Sequence, residues 1–546
     1  MKFAKLVTSL IIPCVFLSTA AGWTGLSVLE SRTVQRRPGA PALHINTFVS
    51  PSSGRIISVA RGDDFQAALG SATPGDVIEV EAGTEFVGNF ILPGKRGSEP
   101  GPENGSSWIV IRSSQDADLP EPGNRVMPSH APALPKLLSP TSGPVITAEQ
   151  GAHHYRFTGV EFTMTPDVSL NYGLIRLGSG EEERLSELPH DIILDRCYIH
   201  GNAKADLRRG VALNSASTSI IDCHISDCHE VGADSQAICG WNGPGPFKIV
   251  NNYLEGAGEN VLFGGADPSI NGLIPSDIEF RGNHCSKPLS WKPDDPAYAG
   301  IHWSVKNLFE LKNAQRVQIE GNLFENCWVD GQTGYAILFK SVNQDGTAPW
   351  CVTQDVEFKN NIVRHSGSGV NIQGKAEDQP GDQTKRISIR NNLFEDIGGS
   401  MWEGEGVFLK ISNSQDITID HNTVLQSGNI ITAYGEPNQN VVFTNNLAPH
   451  NLYGIKGDSA SIGIGTLDSY FPGAVFKKNL IVGREVSNYP SKNFYPASLD
   501  DIGFVDRAKG NFRLAPSSPY KNAGTKGRDV GADIDAIESA VCCTGN

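Results

Sequence analysis

Seven times between residues 247 and 446 the chain repeats one pattern: apolar, any, apolar, any, any, Asn. The copies are FKIVNN (247–252), IEFRGN (278–283), VQIEGN (317–322), VEFKNN (356–361), ISIRNN (387–392), ITIDHN (417–422) and VVFTNN (441–446). Looser copies surround Cys197 and Cys223 and end at Asn479, so ten anchors run from Cys197 to Asn479 with spacings of 24 to 39 residues, about 31 on average. A unit of this length cannot bury its apolar face alone and must stack on its neighbours. Each copy alternates with period two before its anchor, which reads as a strand with one buried face. Turn residues fill the intervals and helical periodicity is almost absent. The expected fold is therefore all-β, a parallel solenoid whose anchor residues stack in the interior. There their amides satisfy turn backbone groups that water cannot reach. These asparagines are architecture rather than chemistry. A string of separate β-sandwich domains is disfavoured, because the copies continue in register with no linker between them.

Composition narrows the partners. Asp and Glu outnumber Lys and Arg by 60 to 45, a formal charge of −15. Nucleic acid and anionic membranes both need a basic footprint that this balance lacks. A strongly anionic polymer would need local basic residues or a bridging cation. Lys2 and Lys5 precede an apolar run from Leu6 to Leu17 and the small residues Ser18 to Ala21. This is the form of a cleaved signal peptide, too short to span a bilayer. The expected product is a secreted monomer, free of the membrane after signal removal. The divisions read from the sequence are a signal peptide (1–21), a pre-domain segment (22–54), the solenoid (55–515) and a closing tail (516–546). Gly97 to Pro144, rich in proline, reads as long loops over the first coils. Of ten cysteines, nine follow the signal, and none forms a CxxC pair. Structural zinc is not expected from them, and disulfides and buried thiols fit equally well.

The segment FQAALGSATPGDVIEVEAGTEF (65–86) resembles the N-terminal cap of the right-handed parallel β-helix superfamily that includes pectate lyases and polygalacturonases. Its Pro-Gly-Asp turn (74–76) is similar to the start of the alginate-lyase and chondroitinase-B group. The tail FRLAPSSPYKNAGTKGRDVGADIDAI (512–537) resembles the closing segment of secreted bacterial β-helices. The resemblance covers nearly the whole chain after the signal. It implies a right-handed β-helix with an N-terminal capping helix, acting on or binding a polysaccharide. Lyases of that superfamily use lysine or arginine bases, often with calcium, so calcium is the one cofactor it suggests.

Three groups of residues are candidates for the chemistry. Strand ends aligned as AICG, VLFG, FELK, ILFK, NIQG and VFLK put Gly240, Gly264, Lys312, Lys340, Gly374 and Lys410 in one column. Lys312 and Lys340 would then lie about 4.8 Å apart. Close like charges lower one pKa, which makes either lysine a candidate base, and the glycines would leave room for a polymer. An acidic pair, Asp234 and Glu259, begins two successive strands. It suits hydrolysis of a glycosidic bond, or binding of calcium or substrate in a lyase. Trp241, Trp291, Trp303 and Trp328, with His302 among them, are the candidate sugar-binding residues. His224, His229, His284 and His302 lack a metal-ligand spacing.

The first functional reading is a polysaccharide lyase that cleaves a uronate-containing glycan by β-elimination. A glycoside hydrolase using the carboxylate pair is the alternative, and a non-catalytic glycan-binding or surface β-helix is another. The acidic net charge favours a neutral or sparsely charged glycan.

Overall fold

A computed structural model describes residues 36–48, 54–95, 108–376, 378, 381–483 and 488–541. The signal segment and the neighbouring Cys542 and Cys543 lie outside these residues. Strands recur three per coil and stack into three parallel sheets of 14, 13 and 12 strands. One coil shows the path. Ala314–Glu320 joins the 14-stranded sheet, Leu323–Cys327 the 13-stranded sheet and Tyr335–Lys340 the 12-stranded sheet. The inward residues of all three sheets form one continuous core, from Val59 to Tyr489.

The repeat motif falls on the 14-stranded sheet and the corner that follows it. The residue before each anchor is left-handed: Asn251, Gly282, Gly321, Asn360, Asn391, His421, Asn445 and Lys478 all have φ between 52° and 64°. Glycine and asparagine tolerate that region best, which explains the GN and NN endings. The anchor then turns inward. Its side-chain oxygen accepts the backbone N–H of the anchor one coil earlier at 2.8–3.0 Å, without a break from Cys223 to Asn479. Its Nδ2 donates to a strand carbonyl, as Asn322 does to Phe280. The ladder ends on Asn493, an extra rung after a gap of only 14 residues, which the motif did not reveal. At the other end the Sγ of Cys223 takes the place of the amide for Cys197.

Phe65–Ser71 is the capping helix, with Asp64 as its N-cap. The stretch read as loops over the first coils contributes two strands, Ile109–Ser113 and Lys136–Ser139, besides a small apolar cluster at Leu119, Val126 and Leu134. Residues 39–47 run along the 14-stranded sheet, held by Asp355 at Gly39, Asp277 at Ala42, and Arg156 and Lys248 at Thr47. The last strand of the three stacked sheets is Leu480–Val482. Beyond it Phe504–Asp506 and Asn511–Leu514 pair antiparallel. The helix Ile534–Val541 then folds back to cover Leu393, Leu323 and Ile362. The seven described cysteines are all free and buried.

Candidate active site

The outward face of the 12-stranded sheet carries a cluster of lysines and carboxylates. Inward rows such as Val261, Phe309 and Ile337 are fixed by the core, so the intervening residues point outward, away from it. Glu310 stands opposite Leu262 and Leu338, and Leu311 opposite Phe339, which sets Lys312 beside Lys340 one residue further on. The ammonium of Lys340 lies 2.8 Å from Glu310 Oε1, and that of Lys312 lies 3.9 Å from the same oxygen. Asn307 donates to the other oxygen at 3.0 Å. Glu310 is fully buried, whereas both lysines are part-exposed.

A second carboxylate sits in the neighbouring coil. Glu259 is 1% exposed and receives Gln236 Nε2 at 2.8 Å, while its Oε1 has no hydrogen-bond partner. Burial pushes its carboxyl up to about 7, with the charges of Glu310 and Asp234 adding to the effect. Glu310 goes the other way. Burial raises it too, but Lys340 and then Lys312 more than offset that and hold it below the ordinary carboxylate range. Two neighbouring carboxyls are thus separated by their surroundings into one acid and one carboxylate. Lys306 closes the cluster through Asp234 Oδ1 at 2.5 Å.

The structure therefore brings Lys312, Lys340, Glu259 and Asp234 together, though not as aligned. The column containing both lysines holds. However, Gly240 pairs with Phe263, Gln373 rather than Gly374 pairs with Lys340, and Lys410 pairs with Asn371. Register follows the apolar rows and not the polar strand ends, so the column differs from the expected one by one or two residues. Nor do the glycines make room for a polymer. A Cβ on Gly240 would meet Leu213 O at 2.2 Å, and one on Gly374 would meet Asn413 O at 1.4 Å, so close backbone passage requires them. Asp234 is not at the strand start matched to Glu259; that position is Gln236.

Three of the four tryptophans are not available to a sugar. Trp291, Trp303 and Trp328 are at most 4% exposed and pack with Trp402, Ala257 and Val305 under the 287–308 insert. His229 is stacked on Trp303 with centroids 3.7 Å apart. An insert of this length needs its own small core, and the tryptophans supply it. Trp241 differs: it is half-buried at the end of its strand, with the Arg209 guanidinium 5.5 Å from its ring. His302 is exposed, with Nε2 hydrogen-bonded to Asp330 Oδ1 at 2.5 Å.

Calcium does not fit the acidic pair. The ion wants six to eight oxygens. Here Asp234 is tied to Lys306, Glu259 carries a raised carboxyl, and three ammonium groups crowd the face.

Comparison with known proteins bears on the fold. The family described as "Right handed beta helix region" matches residues 307–487. The chain is a right-handed parallel β-helix. No curated protein matches this β-helix in sequence. Among solved structures it is similar to the catalytic unit of a GH87 α-1,3-glucanase from Streptomyces thermodiastaticus, with 12% identity, 82% of this chain and 71% of that one covered, and a TM-score of 0.46. The PL6 family alginate lyase AlyGC has 12% identity over 88% of this chain and 58% of its own, with a TM-score of 0.46. A mutant tailspike of E. coli bacteriophage HK620, solved with a pentasaccharide, has 12% identity over 80% and 64%, with a TM-score of 0.46. Likeness at this level concerns the fold alone.

Four contributors to the β-helix face escaped the sequence reading: Glu310, Lys306, Gln236 and Lys287. Glu310 lies inside the FELK segment that pointed to Lys312, and period two put it on the same face. Lys287 had no signal. It is fully buried, and its ammonium donates to the carbonyls of Ala257 and Gly258 at 3.0 and 3.2 Å and to Asn260 Oδ1 at 3.1 Å. Burial lowers it to about 8. It pins the turn that delivers Glu259.

Proposed function

We propose that the protein is a secreted, carbohydrate-active β-helix that binds an acidic polysaccharide along the outward face of its 12-stranded sheet and cleaves it by β-elimination. The observation that supports this is the row of part-exposed lysine side chains Lys306, Lys312 and Lys340 beside buried Glu259 and Glu310. Removing the C5 proton of a uronate requires its carboxylate charge to be neutralised. Fixed cations on a sheet supply that without reorganisation. Lys340, held by Glu310, is the clamp for the substrate carboxylate. Lys312 is less tightly tied and, as the neutral amine, is the base: its Nζ lone pair takes the C5 proton to give an ammonium, the C5–H pair becomes the C4–C5 double bond, and the C4–O4 bond breaks. The leaving O4 takes a proton from water. Trp241, beside Arg209, offers a sugar ring a flat face at the edge of the site.

The separated pair favours a second reading, glycoside hydrolysis with Glu259 as acid and Glu310 as base or nucleophile. Their burial beneath the lysines counts against direct contact with substrate. The test is a panel of acidic and neutral polysaccharides, followed by ultraviolet absorbance of the new double bond and by reducing ends. Both signals rising together, and lost in Lys312→Ala, is the expected result. Reducing ends without absorbance would overturn elimination in favour of the carboxylate pair. Retention on an acidic glycan with neither signal would leave a binding protein.

A further inference from the structure

The 14-stranded sheet carries a separate cluster near the N-terminal end of the β-helix. His153 and His190 are register partners in adjoining coils, and their rings stack 5.1 Å apart at 11°. The residue after each is left-handed: His154 at φ 57° and Asp191 at φ 51°, followed one coil later by Ser217 at 46°. The same left-handed position recurs in later coils, at Asp277, Arg316, Asp355, Arg386 and Asp416, so the corner geometry is architectural and only the side chains are particular to these two coils. One ligand atom from each of His154, His190 and Asp191 lies within 4.8 Å of the other two. Partners already orient these groups. Ser217 Oγ donates to Asp191 Oδ1 at 2.7 Å, His190 Nδ1 is 2.7 Å from Asp191 Oδ2, and His154 Nδ1 is 2.9 Å from His153 Nδ1. Asp191 and His190 remain about a third exposed, which leaves an approach from solvent.

We infer that His154, His190 and Asp191 form a binding site for a divalent transition metal ion such as zinc. Two imidazoles with one carboxylate suit zinc, and the two nitrogen donors disfavour calcium and magnesium. Three protein ligands leave a fourth position for water. The hydrogen bonds from Ser217 and His153 are the outer contacts that fix ligand orientation in such sites. Ligand atoms about 3.3 Å apart would complete a tetrahedron around zinc, and those present lie within 4.8 Å of one another. The ion would staple the coil beginning at His153 to the one beginning at His190. This site is on a different sheet from the lysine face and does not depend on the reading given for it.

The full chain, stripped with chelator, would be titrated with zinc chloride by calorimetry. The expected result is one saturable ion per chain, with His154→Gln and His190→Gln each weakening it more than about tenfold. Calcium chloride should give no heat at this site. No saturable zinc binding, or affinity undiminished in the double variant, would overturn the inference. A readout on the unaltered ligands guards against misfolded variants. The Trp108 ring lies 5.1 Å from His154, so copper(II) in place of zinc should quench it. The quench should vanish in Trp108→Phe; a quench that persists unchanged would also overturn the site.

Discussion

Two polar ladders run along this molecule, and they differ in how their groups are satisfied. Inside, the asparagine ladder repeats one residue type, and every amide oxygen from Asn252 to Asn493 answers a backbone N–H of the coil before. Outside, on the 12-stranded sheet, the rungs follow no repeat: Cys239, Leu262, Glu310, Leu338, Asn371 and Lys410 share one column. There a buried carboxyl oxygen of Glu259 is left without a partner, and lysines lie over Glu310. A repeated and saturated ladder holds the fold. An irregular one with unmet demand is where a ligand has something to gain.

The sharpest way to break the comparison is within the inner ladder. Asn322→Ala removes the acceptor for Asn283 and the donor to Phe280, leaving buried groups unpaired. The expected loss is about 3 kcal/mol or more by urea denaturation, with any surviving activity tracking the folded fraction. On the outer ladder, Lys340→Met takes away the nearer counter-charge of fully buried Glu310. A loss of about 2 kcal/mol is expected, less than for a fully buried pair because the ammonium is part-exposed. Adding Glu310→Gln should recover most of that stability while activity stays lost. Recovery of both would remove Lys340 from the site.

Glu259 gives a smaller, pH-dependent effect. Its folded carboxyl lies near 7, above its unfolded value, so the protein pays to ionise it as pH rises through that window. Glu259→Gln should therefore melt higher than the parent at pH 8 and match it near pH 4, measured as Tm at both. An equal gain at both pH values would show that packing, not charge, is responsible. The smallest contrast is aromatic. Trp241→Ala should weaken glycan binding about three- to tenfold, whereas Trp303→Phe should lower stability and leave affinity unchanged, as read by binding and melting of the two variants.

Much of this was legible because a solenoid repeats its physics. The left-handed corner selects Gly or Asn, the interior selects an amide, and the pairing of both in each coil exposes strand, corner and period together. The last rung, Asn493, was hidden because its coil is short and lacks the preceding alternation. At the site, Lys312 and Lys340 could be paired because their segments share the same ending. Glu310 was in view yet unread, since only the register shows that it lies beneath both ammonium groups. The tryptophans misled for the opposite reason. A cluster in sequence is compatible with a sugar groove or a loop core, and only packing decides between them.

The sequence by itself determined a parallel β-helix, its coil period and its inner ladder, because those follow from local backbone preference and burial repeated many times. Tertiary structure alone decided which charges meet. Glu259 near Glu310, Lys287 behind the turn at 256–258 and His154 beside His190 come from different coils. Loop lengths between coils vary and carry no register, so the offset that brings two such side chains together is fixed only when the apolar rows lock.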